Sequence, residues 1–299
     1  MNNLENTDNK EQRAEKSPIG GFPDKPGHGR GLPPLGKQGA DILDKILIQK
    51  VLEVAERKQL KSISDLEKEP LFSRKCISLK DNLQVSNSGI IAEFKRKSPS
   101  KGWINENADA RIIPAEYCQV GASGISILTD EPFFGGTSQD LITARPLVDC
   151  PILRKEFIVD EYQLYEAKAI GADVILLIAS ALSVDETKDL AKQAKALGLE
   201  ILLEIHNKEE LIHMNEFVDM VGVNNRNLKT FEVSTDISKE LADFIPDEFV
   251  KISESGISNP ETVIELRRYG YKGFLMGENF MKEQNPADAL KRFICPLTP

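Results

Sequence analysis

Eight short apolar runs, each followed by a segment of helical periodicity, leave a chain of this length few ways to fold. The runs lie near residues 89–94, 123–128, 151–155, 173–178, 199–204, 219–224, 249–253 and 272–276, with amphipathic segments such as 160–170 and 184–197 between them. Three junctions repeat one idea. Gly121-Ala-Ser-Gly-Ile, Gly171-Ala-Asp-Val-Ile and Gly270-Tyr-Lys-Gly-Phe each set a glycine just past a helix and a β-branched or aromatic residue soon after. Strands that alternate with helices form a parallel sheet through right-handed crossovers. Eight such units in about 260 residues predict an α/β fold closed as a (β/α)8 barrel, the TIM-barrel architecture, rather than an open doubly wound sheet. No Gly-x-Gly-x-x-Gly follows the first run, which counts against a dinucleotide-binding sheet.

The chain divides near residue 40. Residues 1–40 are polar and rich in glycine, proline and charge, with too little apolar surface to offset the entropy of ordering, and are expected to form a flexible, disordered N-terminal tail. Their early acidic residues and the lack of an apolar core argue against a transit or signal peptide. The stretch from Gly21 to Gly36 is compatible with a docking motif, but a mobile tail is the simpler reading. Beyond it, Ile42, Ile46, Val51 and Val54 mark an extra N-terminal helix to about residue 60, and residues 41–299 are expected to form a single barrel domain.

Charge and cysteine usage narrow the class. A net charge of -9 and a pI near 5.1, with no Lys/Arg block, argue against a nucleic-acid surface. No apolar run reaches the length of a membrane span. Cys76, Cys118, Cys150 and Cys295 are scattered without a CxxC pair, as in a reduced, cytoplasmic protein. With three histidines and no His/Cys cluster of ligand spacing, no metal site is expected.

In a barrel, chemistry belongs at the C-terminal ends of the strands. The first strand ends Ile91-Ala92-Glu93-Phe94-Lys95, where alternation puts Glu93 and Lys95 on one side and Ala92 and Phe94 on the other. Its earlier residues are apolar on both faces, so charge at its end is expected to be paired and put to use. The same holds at five further ends: Lys155 on the third strand, Glu204 and His206 on the fifth, Asn224 and Arg226 on the sixth, Glu254 and Ser255 on the seventh, Glu278 and Asn279 on the eighth. Glycines just past the last two strands, Gly256 and Gly277, let backbone N–H groups approach an anion where barrel enzymes hold phosphate. Beside phosphate, Glu278 is expected to contribute backbone contacts only.

Ile91-Ala92-Glu93-Phe94-Lys95-Arg96-Lys97-Ser98-Pro99-Ser100 resembles the first-strand signature of the indole-3-glycerol-phosphate synthase family. Asp130-Glu131-Pro132-Phe133-Phe134-Gly135-Gly136, Leu153-Arg154-Lys155-Glu156-Phe157, Leu203-Glu204-Ile205, Gly222-Val223-Asn224-Asn225-Arg226-Asn227-Leu228 and Glu254-Ser255-Gly256-Ile257 follow in family order, and the similarity runs from about Asp41 to Cys295. The resemblance implies a carboxy-lyase of tryptophan biosynthesis, with no cofactor, whose partner is a small phosphorylated substrate. In that reaction 1-(2-carboxyphenylamino)-1-deoxyribulose 5-phosphate closes a ring, losing carbon dioxide and water to give indole-3-glycerol phosphate.

By the same resemblance Lys155 is the general acid at the ketone, Glu204 the proton acceptor, Lys95 a contact on the phosphate or carboxylate side and an acid for dehydration, and Glu93 the group that orients and ionises the lysines. Asn224 would hold the sugar hydroxyls, Arg226 the substrate carboxylate, and Glu254 and Ser255 the ribulose chain. Phosphate would sit on Gly256 and Gly277 with Ser98 closing over it, and Phe134 and Phe157 would wall the aryl ring. Other residues read more simply: His206 as the cap of a strand, His213 on the surface of a short helix, Lys101 and Arg96 as solvated, Trp103 as a lid or as packing. Two rivals are weighed. Another phosphate-binding barrel, such as phosphoribosylanthranilate isomerase, would carry a catalytic cysteine at a strand end, and none is there. A non-catalytic phosphate-ligand-binding barrel or scaffold subunit would show replaced rim residues. A monomer or weak homodimer is expected.

Overall fold

Apolar residues spaced two apart become the inner wall of a closed ring. The computed structural model describes residues 41–227 and 230–297; the expected tail, together with Leu228 and Pro299, lies outside the described residues. Eight strands form the ring: β1 (Ile90–Phe94), β2 (Gly124–Leu128), β3 (Ile152–Lys155), β4 (Val174–Ile178), β5 (Glu200–Ile205), β6 (Met220–Asn224), β7 (Val250–Glu254) and β8 (Gly273–Met276). Each pairs in parallel with its neighbours in sequence, and β1 closes on β8. Helices lie between them, with Tyr162–Ile170 and Val184–Ala196 within two residues of the expected spans. The three junction glycines, Gly121, Gly171 and Gly270, all carry positive φ, the conformation that ends the preceding helix.

Alternation sorts each strand into two packing layers. Ile90, Ala92 and Phe94 of β1 face outward into the main core, with Tyr117, Leu141 and Leu190 of the surrounding helices. Ile91 faces inward with Leu153, Leu202 and Ile252, which fill the barrel. Followed round the ring, the paired registers bring Glu93 back to position 85, a displacement of eight residues, which is the shear of this barrel type. A one-residue offset per strand therefore puts Ile91, Leu153, Leu202 and Ile252 of alternate strands in one layer. Two residues further along the same strands stand Glu93, Lys155, Glu204 and Glu254. An apolar layer is capped by a charged one.

The far end of the barrel is closed. Helix α2 (Leu79–Val85), counted after α1 (Ile42–Leu60), drives Leu79 and Leu83 into the interior cluster. The Glu200 carboxylate accepts from the Leu79 and Lys80 amides at 2.8 and 3.1 Å, fastening the start of that helix.

Helix α1 lies against the open end. Asp41 caps it, its side chain accepting from the Asp44 amide at 2.9 Å. Its buried face is Leu43, Ile46, Leu47, Lys50 and Val54, so the expected stripe is corrected: Val51 is only partly covered, and a lysine occupies the packed side. The Lys50 side chain is 1% exposed, and its ammonium sits 2.8 Å from Glu53, 3.0 Å from Asp130 and 3.0 Å from Glu156. Thr129 donates to the other Glu156 oxygen at 2.8 Å. Asp130 also caps the short helix Glu131–Phe134 by accepting from the Phe133 amide at 2.9 Å. One buried cation thus ties the extra helix to the ends of β2 and β3.

Breaking a buried pair by removing one partner strands the other charges. Lys50→Met is expected to lower stability at pH 7 by about 3–5 kcal/mol in equilibrium urea unfolding; a loss below about 1 kcal/mol would show that the cluster is solvated instead.

Candidate active site

The open end of the barrel holds a cavity of about 680 Å³. The charged layer forms its floor. Lys155, at the end of β3, faces inward because Leu153 does, while Arg154 between them turns outward, donating to the Gln163 carbonyl at 2.9 Å and lying 3.4 Å from Glu166. Arg154 and Glu156 are therefore buried structural charges, not members of a solvated cluster with Lys155.

Lys155 Nζ donates to Glu204 Oε2 at 2.6 Å and to Glu254 Oε2 at 3.1 Å. Asn224 Nδ2 donates to Glu204 Oε1 at 3.2 Å, and the Asn224 side-chain oxygen accepts from the Arg226 amide at 3.1 Å. Glu93 pairs with Lys95, as its place two residues away on one face requires. Two glycines make room for these carboxylates. A β-carbon at Gly222 would overlap the Glu254 carboxylate, and one at Gly277 would press on Glu93. Gly277 thus makes room for the floor, a role separate from the close approach to an anion expected of it. Ser255 holds φ +65 and Gly256 φ +76, so a non-glycine residue is held in left-handed backbone at the rim.

The charges bias one another. Burial works to lower the Lys155 proton affinity, but Glu204, Glu254 and Glu93 outweigh it and hold the ammonium above the ordinary lysine range. Burial works to raise Glu204, yet Lys155 and His206 overcome it and hold Glu204 well below the usual carboxylate range. Glu254, with burial and the Glu204 charge acting against its ionisation and only Lys155 in favour, is pushed up to about 7.

The walls come from several loops. Phe134 and Phe157 stand with ring centroids 5.9 Å apart and both line the cavity. Ser98, in the short hairpin after β1, is buried there, and its hydroxyl has no partner among the described residues. Arg226, Glu254, Ser255, Gly256, Gly277 and Glu278 complete the predicted set, Glu278 lying 3.9 Å from Lys101. All fourteen predicted site residues thus border one cavity.

Four readings change. Arg96 is not solvated: its guanidinium grips both oxygens of Asp140 at 2.7 Å and the Gly135 carbonyl at 3.2 Å, tying the hairpin after β1 to the loop after β2. His213 is buried, its Nδ1 2.9 Å from the Thr187 hydroxyl. His206 does more than cap a strand, standing between Glu204 and Glu210. The expected helix α1 also has an unforeseen place at the site: its Ile42, Leu43 and Ile46 line the cavity, as does Lys282. A lysine at helical spacing from Leu43, Ile46 and Leu47 was the signal for α1: a charge in an apolar stripe needs partners inside.

The chain is similar to several known proteins. A family model described as indole-3-glycerol phosphate synthase matches residues 43–293. An indole-3-glycerol phosphate synthase from Bacteroides thetaiotaomicron is 53% identical over 257 residues, covering 85% of this chain and 98% of its own. Among solved structures, the tryptophan synthase α2β2 complex of Pyrococcus furiosus contains a chain similar in fold, with TM-score 0.53, 17% identity, and coverage of 71% of this chain and 98% of that one. KGPDC from Streptococcus mutans is similar at TM-score 0.52 and 14% identity, covering 70% and 96%. At such identities the two structures speak for the barrel alone.

The electrostatics can be tested without any ligand. Lys155→Met leaves two buried carboxylates facing each other with no cation between them, and like charges so placed share a proton. The infrared band of protonated carboxyl groups at pH 8 is expected to grow by about one group relative to wild type; an unchanged band would mean that Lys155 does not control the pair.

Proposed function

The chain belongs to the indole-3-glycerol phosphate synthase family, and from that premise we propose how its residues divide the reaction. The enzyme is a carboxy-lyase of tryptophan biosynthesis. It converts 1-(2-carboxyphenylamino)-1-deoxyribulose 5-phosphate to indole-3-glycerol phosphate, carbon dioxide and water. The aryl carbon bearing the carboxylate attacks the ketone carbon, and the ketone oxygen must take a proton as the new bond forms. Loss of carbon dioxide restores the aromatic ring, and departure of the hydroxyl as water, with loss of a proton, completes the indole.

Lys155 supplies the first proton. The observation that carries this is its buried ammonium at the cavity floor, 2.6 Å from Glu204 and 3.1 Å from Glu254. It is protonated at neutral pH and is the cation standing beneath the substrate chain. A buried ammonium between two carboxylates gives up its proton more readily once either carboxylate is neutral, so Glu254, poised at about 7, tunes the acid. Glu204 takes the proton lost during dehydration. Lys95, paired with Glu93 at the end of β1, protonates the departing hydroxyl, and Glu93 orients it.

Binding follows the charges. Phosphate is held by the backbone at Gly256 and Gly277, beside Glu278 and under Ser98, whose free hydroxyl favours an acceptor there. Arg226 meets the substrate carboxylate as a fork, and Asn224, Glu254 and Ser255 hold the sugar chain. Phe134 and Phe157, with the apolar residues of α1, enclose the aryl ring. Activity as a monomer or weak homodimer in the cytoplasm fits this reading, with the scattered cysteines supporting the compartment. No helix among the described residues is long and apolar enough to cross a membrane.

Turnover followed by indole fluorescence tests the assignment. Lys155→Ala is expected to lower kcat by about 10²–10⁴-fold with substrate still bound, the range of one general acid. A variant that retains a tenth or more of the wild-type rate would move the acid role elsewhere. Glu204→Gln is expected to lose activity comparably.

A further inference from the structure

Lys155 lies between two buried carboxylates of the same kind, Glu204 and Glu254, and nothing in that triad alone decides which one ionises. The environment breaks the symmetry. His206, two residues beyond Glu204, sets its Nε2 3.3 Å from Glu204 Oε1, within ion-pair distance but without a hydrogen bond. Its Nδ1 stands 3.2 Å from Glu210 Oε2. Glu210 is itself pinned: the His206 backbone N–H donates to its Oε2 at 2.7 Å, and Asn207 Nδ2 donates to its Oε1 at 2.9 Å. The imidazole is thus held edge-on between two carboxylates, side chain 10% exposed, and it is not among the residues lining the cavity.

A neutral imidazole has one N–H and one lone pair, so one of those carboxylates would face a lone pair. The imidazolium is attracted to both, by a hydrogen bond to Glu210 and by charge to Glu204. The charged groups of this end of the barrel then alternate: Glu210, His206, Glu204, Lys155, Glu254. Asn224 on β6 adds a donor to Glu204, and Glu93 on β1 acts on Lys155 from beyond. Glu254 has Lys155 as its sole cationic partner among the described residues, and its Oε1 has no hydrogen-bond partner there.

We propose that His206 is the positioning residue that makes Glu204 the ionised base of the pair and leaves Glu254 as the carboxyl that holds the proton. It does so by placing a second buried cation against one carboxylate and not the other. Without it the division of roles would follow from the half-ångström difference in their distances to Lys155 and from the neutral Asn224 donor on Glu204. Although burial opposes its charge, the imidazole is held protonated by Glu204 and Glu210, up to about 10. The inference rests on Glu204 being the base, as proposed above.

The test is the pH dependence of kcat for His206→Gln, which removes the charge, and His206→Lys, which keeps a cation. Removing a cation raises a carboxylate's proton affinity, so the acid limb of the His206→Gln profile is expected to move up by about one pH unit. Activity should then fall about tenfold on the acid flank of the wild-type profile, recover above that limb, and leave KM within about twofold. His206→Lys is expected to return the limb to its wild-type place. A uniformly lower kcat with an unmoved limb would reduce His206 to a structural role and overturn the proposal. A second measurement needs no variant. In wild type with ¹⁵N-labelled histidine, where His28, His206 and His213 are the only histidines, both ring nitrogens of His206 should be protonated at pH 8; a neutral tautomer overturns the proposal. Glu204→Gln separates the two readings: wild-type turnover in that variant removes Glu204 as the base, whereas an inactive Glu204→Gln beside an unmoved His206→Gln limb removes only this inference.

Discussion

A lysine ammonium taken out of water has to be repaid by anions in good geometry, and Lys155 is placed where the barrel can supply them. Desolvating such an ion costs several kcal/mol, more than one exposed contact returns. Glu204 and Glu254 come from β5 and β7, and Glu93 from β1, so the cation is satisfied only when the ring is closed in its correct register. A slip of one residue in any of those strands would turn its charge outward and bring an apolar neighbour in. The charged layer therefore depends on the fold to an unusual degree, and the apolar layer of Ile91, Leu153, Leu202 and Ile252 beneath it keeps water from relieving the arrangement from below.

The surroundings extend the same logic outward. Gly222 and Gly277 leave space for carboxylates that a methyl group would evict. Lys50 repeats the device one shell away, a buried cation among Glu53, Asp130 and Glu156. It holds α1 over the cavity mouth and sets the turn that carries Phe134. Arg96 does the like for the hairpin carrying Ser98. The loops that would touch a substrate are fastened by charge pairs lying behind them, which leaves Lys155, Glu204 and Lys95 to face the ligand.

The barrel was legible because its signal is periodic. Eight apolar runs at strand length and three repeated glycine junctions fall where the strands and helix ends lie, within two residues. The rim was legible for a related reason, since Glu93, Lys155 and Glu204 each follow a run of apolar residues on the inward face of a strand. What could not be read is pairing across the ring. Nothing local in Arg96-Lys97 announces Asp140, more than forty residues away, so a buried fork looked like a solvated charge. His213 was misplaced because a single polar residue in a short helix does not reveal which face is covered. His206 and Lys50 were visible as residues but not as partners: their meaning lies in carboxylates brought from other elements by the fold.

With Lys155 as the proposed acid at the ketone, the reacting carbon would lie directly over the charged layer, with phosphate at the β7 and β8 ends and the aryl ring between Phe134 and Phe157. A crystal structure with the substrate's ketone reduced to an alcohol, which binds but cannot close the ring, tests it most directly. The alcohol oxygen is expected within hydrogen-bond reach of Lys155 Nζ and the phosphate on the backbone amides at Gly256 and Gly277. A ligand bound with its phosphate toward Lys155, or with the alcohol oxygen on no lysine, would contradict it.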